Sequence, residues 1–239
     1  MRRISLAALM FVLVAAIGSA AEFNFGADFT AADFERMCRI LGDATAFPAM
    51  GPAEAAGITG FDVMAVVGGP RVDSGASWWR HGVSGSATGD VLATGRVIAR
   101  KGLPFGIDVG GQIGQVLGER FWGVDAKAAI LDGGTLTPSV AVRGSFSRLS
   151  SGPVDFRVAE AQVSLSKGFA VLTPYVGAGA RWIQGDAQFG PIVPVSHEVR
   201  EQKVMAFAGL RLSLLPLRIV AEVRQGSTTA GFVGLGVGL

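Results

Sequence analysis

The sequence predicts an all-β chain, an up-and-down transmembrane antiparallel β-barrel of about ten strands with a short N-terminal helix. Three observations carry this. Hydrophobic residues make up 49% of the chain and mean hydropathy is +0.44, values typical of a membrane protein. After the first twenty residues no apolar run approaches the ~20 residues that a spanning helix requires. From Ile58 onward, apolar residues recur at period two instead. Only a helix or a closed barrel crosses a bilayer with every backbone polar group paired, so the barrel remains.

Residues 1–21 read as a secretory signal peptide. Met1-Arg2-Arg3 precedes an apolar run from Ile4 to Ile17, and Gly18-Ser19-Ala20-Ala21 supplies the small residues for cleavage after Ala20 or Ala21. Export to a bacterial envelope follows. The net charge of +2 belongs to that leader; without Arg2 and Arg3, basic and acidic residues balance at 19 each. A neutral mature chain with no basic cluster argues against nucleic acid as a partner. The single cysteine, Cys38, cannot form an internal disulfide.

Residues 22–57 carry the one helical signal. Thr30 and Asp33 form a capping box, Phe34, Met37, Cys38 and Leu41 recur at helical spacing, and Gly42 is the expected stop. A loop rich in Ala, Gly and Pro follows. Ten segments of period two then fill residues 58–239: 58–69, 91–101, 104–117, 122–130, 139–146, 156–167, 170–185, 202–214, 217–225 and 228–239. In the fourth, Trp122, Val124, Ala126, Ala128 and Ile130 alternate with Gly123, Asp125, Lys127 and Ala129. In the fifth, Val140, Val142, Gly144 and Phe146 alternate with Ala141, Arg143 and Ser145. Two faces meeting different solvents are what this pattern demands.

Short turns at Lys101-Gly102-Leu103, Asp132-Gly133-Gly134-Thr135, Lys167-Gly168 and Leu215-Pro216 alternate with the longest connections, 70–90 and 186–201. That places the turns in the periplasm and the long loops outside. With the leader, the amphipathic segments and a strand at the C-terminus, the chain resembles the bacterial outer-membrane β-barrel class over residues 58–239. One departure is Leu239, where that class usually ends on an aromatic residue. The resemblance implies outer-membrane lipid and lipopolysaccharide as surroundings, the outer-membrane assembly machinery as a partner, and no cofactor.

A soluble barrel of the lipocalin type would show the same alternation with its apolar face inside. The aromatic positions favour the membrane. Trp122, Phe146 and Trp182 lie near the external strand ends and Phe61 and Phe105 near the periplasmic ends, as an interfacial girdle requires.

An outward apolar face sends Asp62, Arg96, Arg100, Asp108, Asp125, Lys127, Arg143, Glu160, Arg181, Lys203, Arg211, Arg218, Glu222 and Arg224 into the lumen. Such charges must pair or stay wet, which leaves two readings: a ladder that stiffens the barrel, or a narrow pore favouring anions. A ten-stranded barrel has a backbone radius of roughly 10 Å, which ordinary side chains nearly fill. Yet Gly60, Gly106, Gly110, Gly114, Gly123, Gly177, Gly179, Gly209, Gly234, Gly236 and Gly238 all fall on the inward face. The expectation is that the helix over 31–41 plugs the bore, with Phe34, Met37 and Leu41 received by Met64, Val66, Met205 and Phe207.

Two further readings use the external loops. Trp78-Trp79-Arg80 would suit a surface adhesin or a ligand-binding barrel. His81 and His197, near Asp73, Asp90, Asp186 and Glu198, invite comparison with the omptin proteases, but that resemblance stops at strand count. No catalytic motif accompanies the histidines, and their spacing suits no metal site.

Overall fold

The structure is a computed structural model, and it describes residues 22–23, 28–84, 90–134, 137–151, 154–189 and 195–239. The leader, residues 1–21, lies outside the described residues. Ten antiparallel strands form a closed barrel: β1 (Phe61–Pro70), β2 (Thr94–Gly102), β3 (Ile107–Val116), β4 (Glu119–Leu131), β5 (Ser139–Ser151), β6 (Val154–Ser166), β7 (Leu172–Phe189), β8 (Val195–Leu214), β9 (Leu217–Gln225) and β10 (Thr229–Gly238). Each strand pairs with its sequence neighbours. Closure comes from β10 on β1, with Ala230 opposite Pro70 and Gly238 opposite Asp62. A closed cylinder leaves no strand edge unpaired, as hydrocarbon surroundings demand.

Side-chain direction separates the membrane barrel from the soluble one. Val124, Val163, Val223 and Val233 point outward and are each at least 50% exposed, while Asp125, Glu160, Glu222 and Arg224 point inward and are buried. A lipocalin would show the reverse. Trp122, Trp182 and Phe61 stand on the outer surface, and Trp122 packs against Phe146 with ring centroids 5.9 Å apart. Phe105 also lies at the turn end, but just outside its strand. It sits in a 3-10 turn, Pro104–Gly106, with φ of 64° and 96% of its surface exposed, because β3 begins only at Ile107.

Other boundaries move as well. The first strand starts at Phe61 rather than Ile58, and the second at Thr94 rather than Val91. The connection expected over 186–201 is mostly ladder, because β7 and β8 stay paired from Leu172–Leu212 up to Phe189–Val195. The long connection 70–90 contains a short helix, α2 (Ser77–Gly82), and its Val83–Ser84 pairs with Glu22–Phe23. The N-terminal helix α1 spans Ala31–Thr45 and does not stop at Gly42. A β-carbon on Gly42 would stand 2.6 Å from Ile183 Cδ1, so this glycine serves close packing on β7.

Candidate functional site

The candidate site is the bore, and it is occupied by residues 29–56 of the same chain. At the mouth carrying the long connections, Thr30 caps α1: its hydroxyl accepts from the Asp33 amide at 3.2 Å, and the Asp33 carboxylate accepts from the Thr30 amide at 3.1 Å. The apolar face of the helix carries Phe34, Met37, Cys38 and Leu41, all at most 2% exposed. These cluster with Phe121, Leu149, Phe156, Val158 and Ile183 of the wall. That corrects the expected receptors. Met64, Val66, Met205 and Phe207 pack instead on Phe47, Ala49 and Met50, which follow the helix.

The glycines are corrected in the same way. A β-carbon on Gly177 would strike the Phe207 ring, one on Gly209 the Tyr175 ring and one on Gly234 Met64 and Met50, so part of the space is filled by the wall itself. Gly106 lies in a turn with φ of 71°. Gly185 gives way to Cys38 of the helix. Burial, then the carboxylates of Glu201, Asp186 and Glu35, push the Cys38 thiol well above its ordinary range.

After Thr45 the chain runs without helix or strand, so its backbone groups need partners elsewhere. The wall supplies them. The Ala46 carbonyl accepts from Arg96 at 2.8 Å, Phe47 from Arg143 at 3.0 Å, and Pro48 from Arg100 at 3.1 Å. Lys127 donates to the carbonyls of Pro52 and Glu54 at 3.0 and 2.6 Å. In the other direction, the amides of Ala49 and Met50 donate to Glu222 at 3.1 and 2.7 Å, Ala53 to Ser166 at 3.0 Å and Ala56 to Asp108 at 3.0 Å. Phe47 lies against Arg100 and Arg143, 5.2 and 4.9 Å from its ring, and Arg96 sits 5.0 Å from the rings of both Phe121 and Phe232.

The remaining charges meet one another. Asp125 takes Arg143 at 2.7 Å and Arg100 at 3.2 Å, Asp108 takes Lys127 at 2.9 Å, and Glu160 takes Arg181 at 2.6 Å and Arg224 at 3.0 Å. Arg181 also binds Asp43 of α1, and Arg218 binds Asp62. Lys203 meets Glu201 at 3.3 Å, Glu201 meets Arg39 of the helix at 2.7 Å, and Arg211 reaches Glu54 at 3.5 Å. All fourteen sequence-derived charges therefore face the bore. Arg96, Arg181 and Arg224 keep at most 1% of their surface, so bulk solvent does not reach them. A cavity of about 220 Å³ remains at the turn end, between Arg211, Arg218, Asp62 and Glu54.

Several of these residues lay outside the sequence reading. Gln112, which accepts from Arg96 at 3.1 Å, Gln162, which accepts from Arg143 at 3.2 Å, Tyr175, which donates to Glu222 at 2.8 Å, and Glu201 sit on inward strand positions that the period marks, but the first three are neutral and Glu201 falls in the expected connection 186–201. Asp43, Phe47 and Glu54 fall at and beyond the expected helix end, where no periodicity points.

The loop residues also find structural partners. Trp79 is 4% exposed and belongs to the same cluster as Phe34, so it is not a surface anchor; the Trp78 side chain lies outside the described ones. His81 Nδ1 is 3.9 Å from Asp33 Oδ2, and His197 stands on β8 opposite Ala187 rather than in a loop. Among the described residues no group of three His, Cys, Asp or Glu side chains could hold a metal ion.

A closed ten-stranded cylinder, apolar outside and ionic within, defines a bacterial outer-membrane β-barrel. Solved structures of similar fold include the KdgM porin, with 9% identity over 74% of this chain and 98% of that one, TM-score 0.37. Others are Ail, the attachment invasion locus protein of Yersinia pestis (14% identity, 75% and 96% covered, TM-score 0.36), and the translocator domain of autotransporter NalP from Neisseria meningitidis (12%, 75% and 88%, TM-score 0.43). No protein-family model and no curated protein matches the sequence.

Proposed function

We propose that this barrel is a structural component of the outer membrane whose bore is sealed by its own N-terminal segment. The single observation behind this reading is how the wall charges are used. Arg96, Arg100, Lys127, Arg143, Asp108 and Glu222 all bind backbone groups of residues 44–56. Charges lining an aqueous path would stay hydrated; these are buried against protein. A second reading, a narrow anion-favouring pore opened when the segment withdraws, draws on the basic excess among the fourteen sequence-derived inward charges, nine against five, and on the cavity at the turn end.

Planar-bilayer recording separates the two. The sealed barrel gives no conductance steps with the full chain, and steps appear on deleting residues 22–50. Steps of equal size from both proteins would overturn the sealed reading.

A further inference from the structure

We propose that the outward face of β4 to β8 binds a phosphorylated, acylated lipid of the outer leaflet, the lipid A part of lipopolysaccharide. The strand registers set five residues side by side on one rung. Trp122 is opposite Arg148, Arg148 opposite Arg157, Arg157 opposite Gln184 and Gln184 opposite Arg200. Alternation along each strand turns all five outward. Arg148 directly facing Arg157 is a like-charge pair, which disfavours strand pairing unless an anion lies between.

Asp155, one rung higher, meets part of that need. It accepts from Arg148 Nε at 2.9 Å and Nη2 at 3.1 Å, and also from Arg157. Arg200 binds Glu198. The three arginines nonetheless stay 42%, 41% and 71% exposed, and exposed ion pairs contribute little. Phosphate oxygens can therefore take the guanidinium forks, which suit them in shape and charge. Asp155, Asp186 and Glu198 form the next rung toward the loops, where repulsion fixes the depth of a phosphate at the arginines.

The same strands offer a place for an acyl chain. Phe146 and Trp182 stand two residues below the arginine rung, at the level of a membrane interface. Two residues further, about 13 Å along the strand from the arginines, a groove of about 600 Å³ opens on the outer surface. Ala126, Ala128, Gly144, Ala161, Val163 and Ala178 line it, and their small size makes the wall concave. The groove alone would suit any hydrocarbon chain; the arginines above it select a phosphorylated headgroup. Lying on the loop side of the barrel, they face the outer leaflet in the orientation usual for this class.

Native mass spectrometry of the purified protein in mild detergent tests the proposal with three probes: bisphosphorylated lipid A, the same lipid A with both phosphates removed, and phosphatidylglycerol. The expected result is a one-to-one adduct with bisphosphorylated lipid A, about tenfold or more favoured over either other lipid. R148A/R157A/R200A abolishes that preference, and Ala161→Leu, which fills the groove, weakens the adduct while all the arginines remain. A maleimide-resistant Cys38 verifies that each variant is folded. Equal binding of all three lipids, or an adduct that R148A/R157A/R200A leaves undiminished, overturns the proposal.

Discussion

Glu222→Gln keeps the size of a buried side chain while removing its charge, and it acts where β9 grips the segment inside the barrel. The amides of Ala49 and Met50 donate to the two carboxylate oxygens, and Tyr175 adds a third hydrogen bond at 2.8 Å. A hydrogen bond to a charged acceptor is worth about 1.5–3 kcal/mol. Glutamine keeps one acceptor but turns an NH₂ donor toward the other amide, so the seated segment loses about 2–4 kcal/mol. The released segment loses nothing, because water serves both partners there. At 1.4 kcal/mol per factor of ten, the released fraction rises roughly thirty- to seven-hundred-fold. Cys38, the only cysteine and fully buried on α1, reports that fraction through its rate of maleimide labelling in membrane vesicles. A Glu222→Gln rate within about twofold of the parent would refute the argument that wall charges hold the segment.

Other perturbations test separate parts of the structure. Gly42→Leu places side-chain atoms where Ile183 already packs, and overpacking of about 1–3 kcal/mol should expose Cys38 to maleimide without unfolding the barrel. Phe47→Ala empties a fully buried site between two guanidiniums and should lower the urea midpoint in lipid vesicles by the equivalent of about 3–5 kcal/mol. Val163→Arg puts a charge on the lipid face, about 13 Å below the level of Phe146, and should cost about 2–4 kcal/mol in the same assay. An unchanged midpoint for Val163→Arg would favour the soluble barrel instead.

The strands and their faces were legible because a period of two is written locally, residue by residue, from Phe61 to Val237. Helix α1 was legible from Thr30 and Asp33 and from the spacing of Phe34, Met37, Cys38 and Leu41. Its end was not, because Gly42 reads as a stop when only propensity is considered. The deciding fact is Ile183, which lies far along the chain and leaves no room for a side chain. The same limit hid the contacts of residues 46–56. No period marks a segment whose hydrogen bonds all go to side chains on other strands, and pairing Arg143 with the Phe47 carbonyl requires the registers of several strands at once. Trp79 was misplaced for a related reason: an aromatic pair in a long connection reads as surface until the connection is seen to fold back on α1.

The position of the helix is open to one direct measurement, because the native thiol of Cys38 points at the backbone of Gly185 on β7. Gly185→Cys, made in the full chain and oxidised mildly in intact outer membranes, should form a cross-link between α1 and β7. Both thiols would then be lost to maleimide until a reductant is added. If Cys38 labels readily in the folded barrel of the unsubstituted chain and forms no cross-link with the introduced thiol, the helix does not occupy the bore and the sealed barrel is wrong.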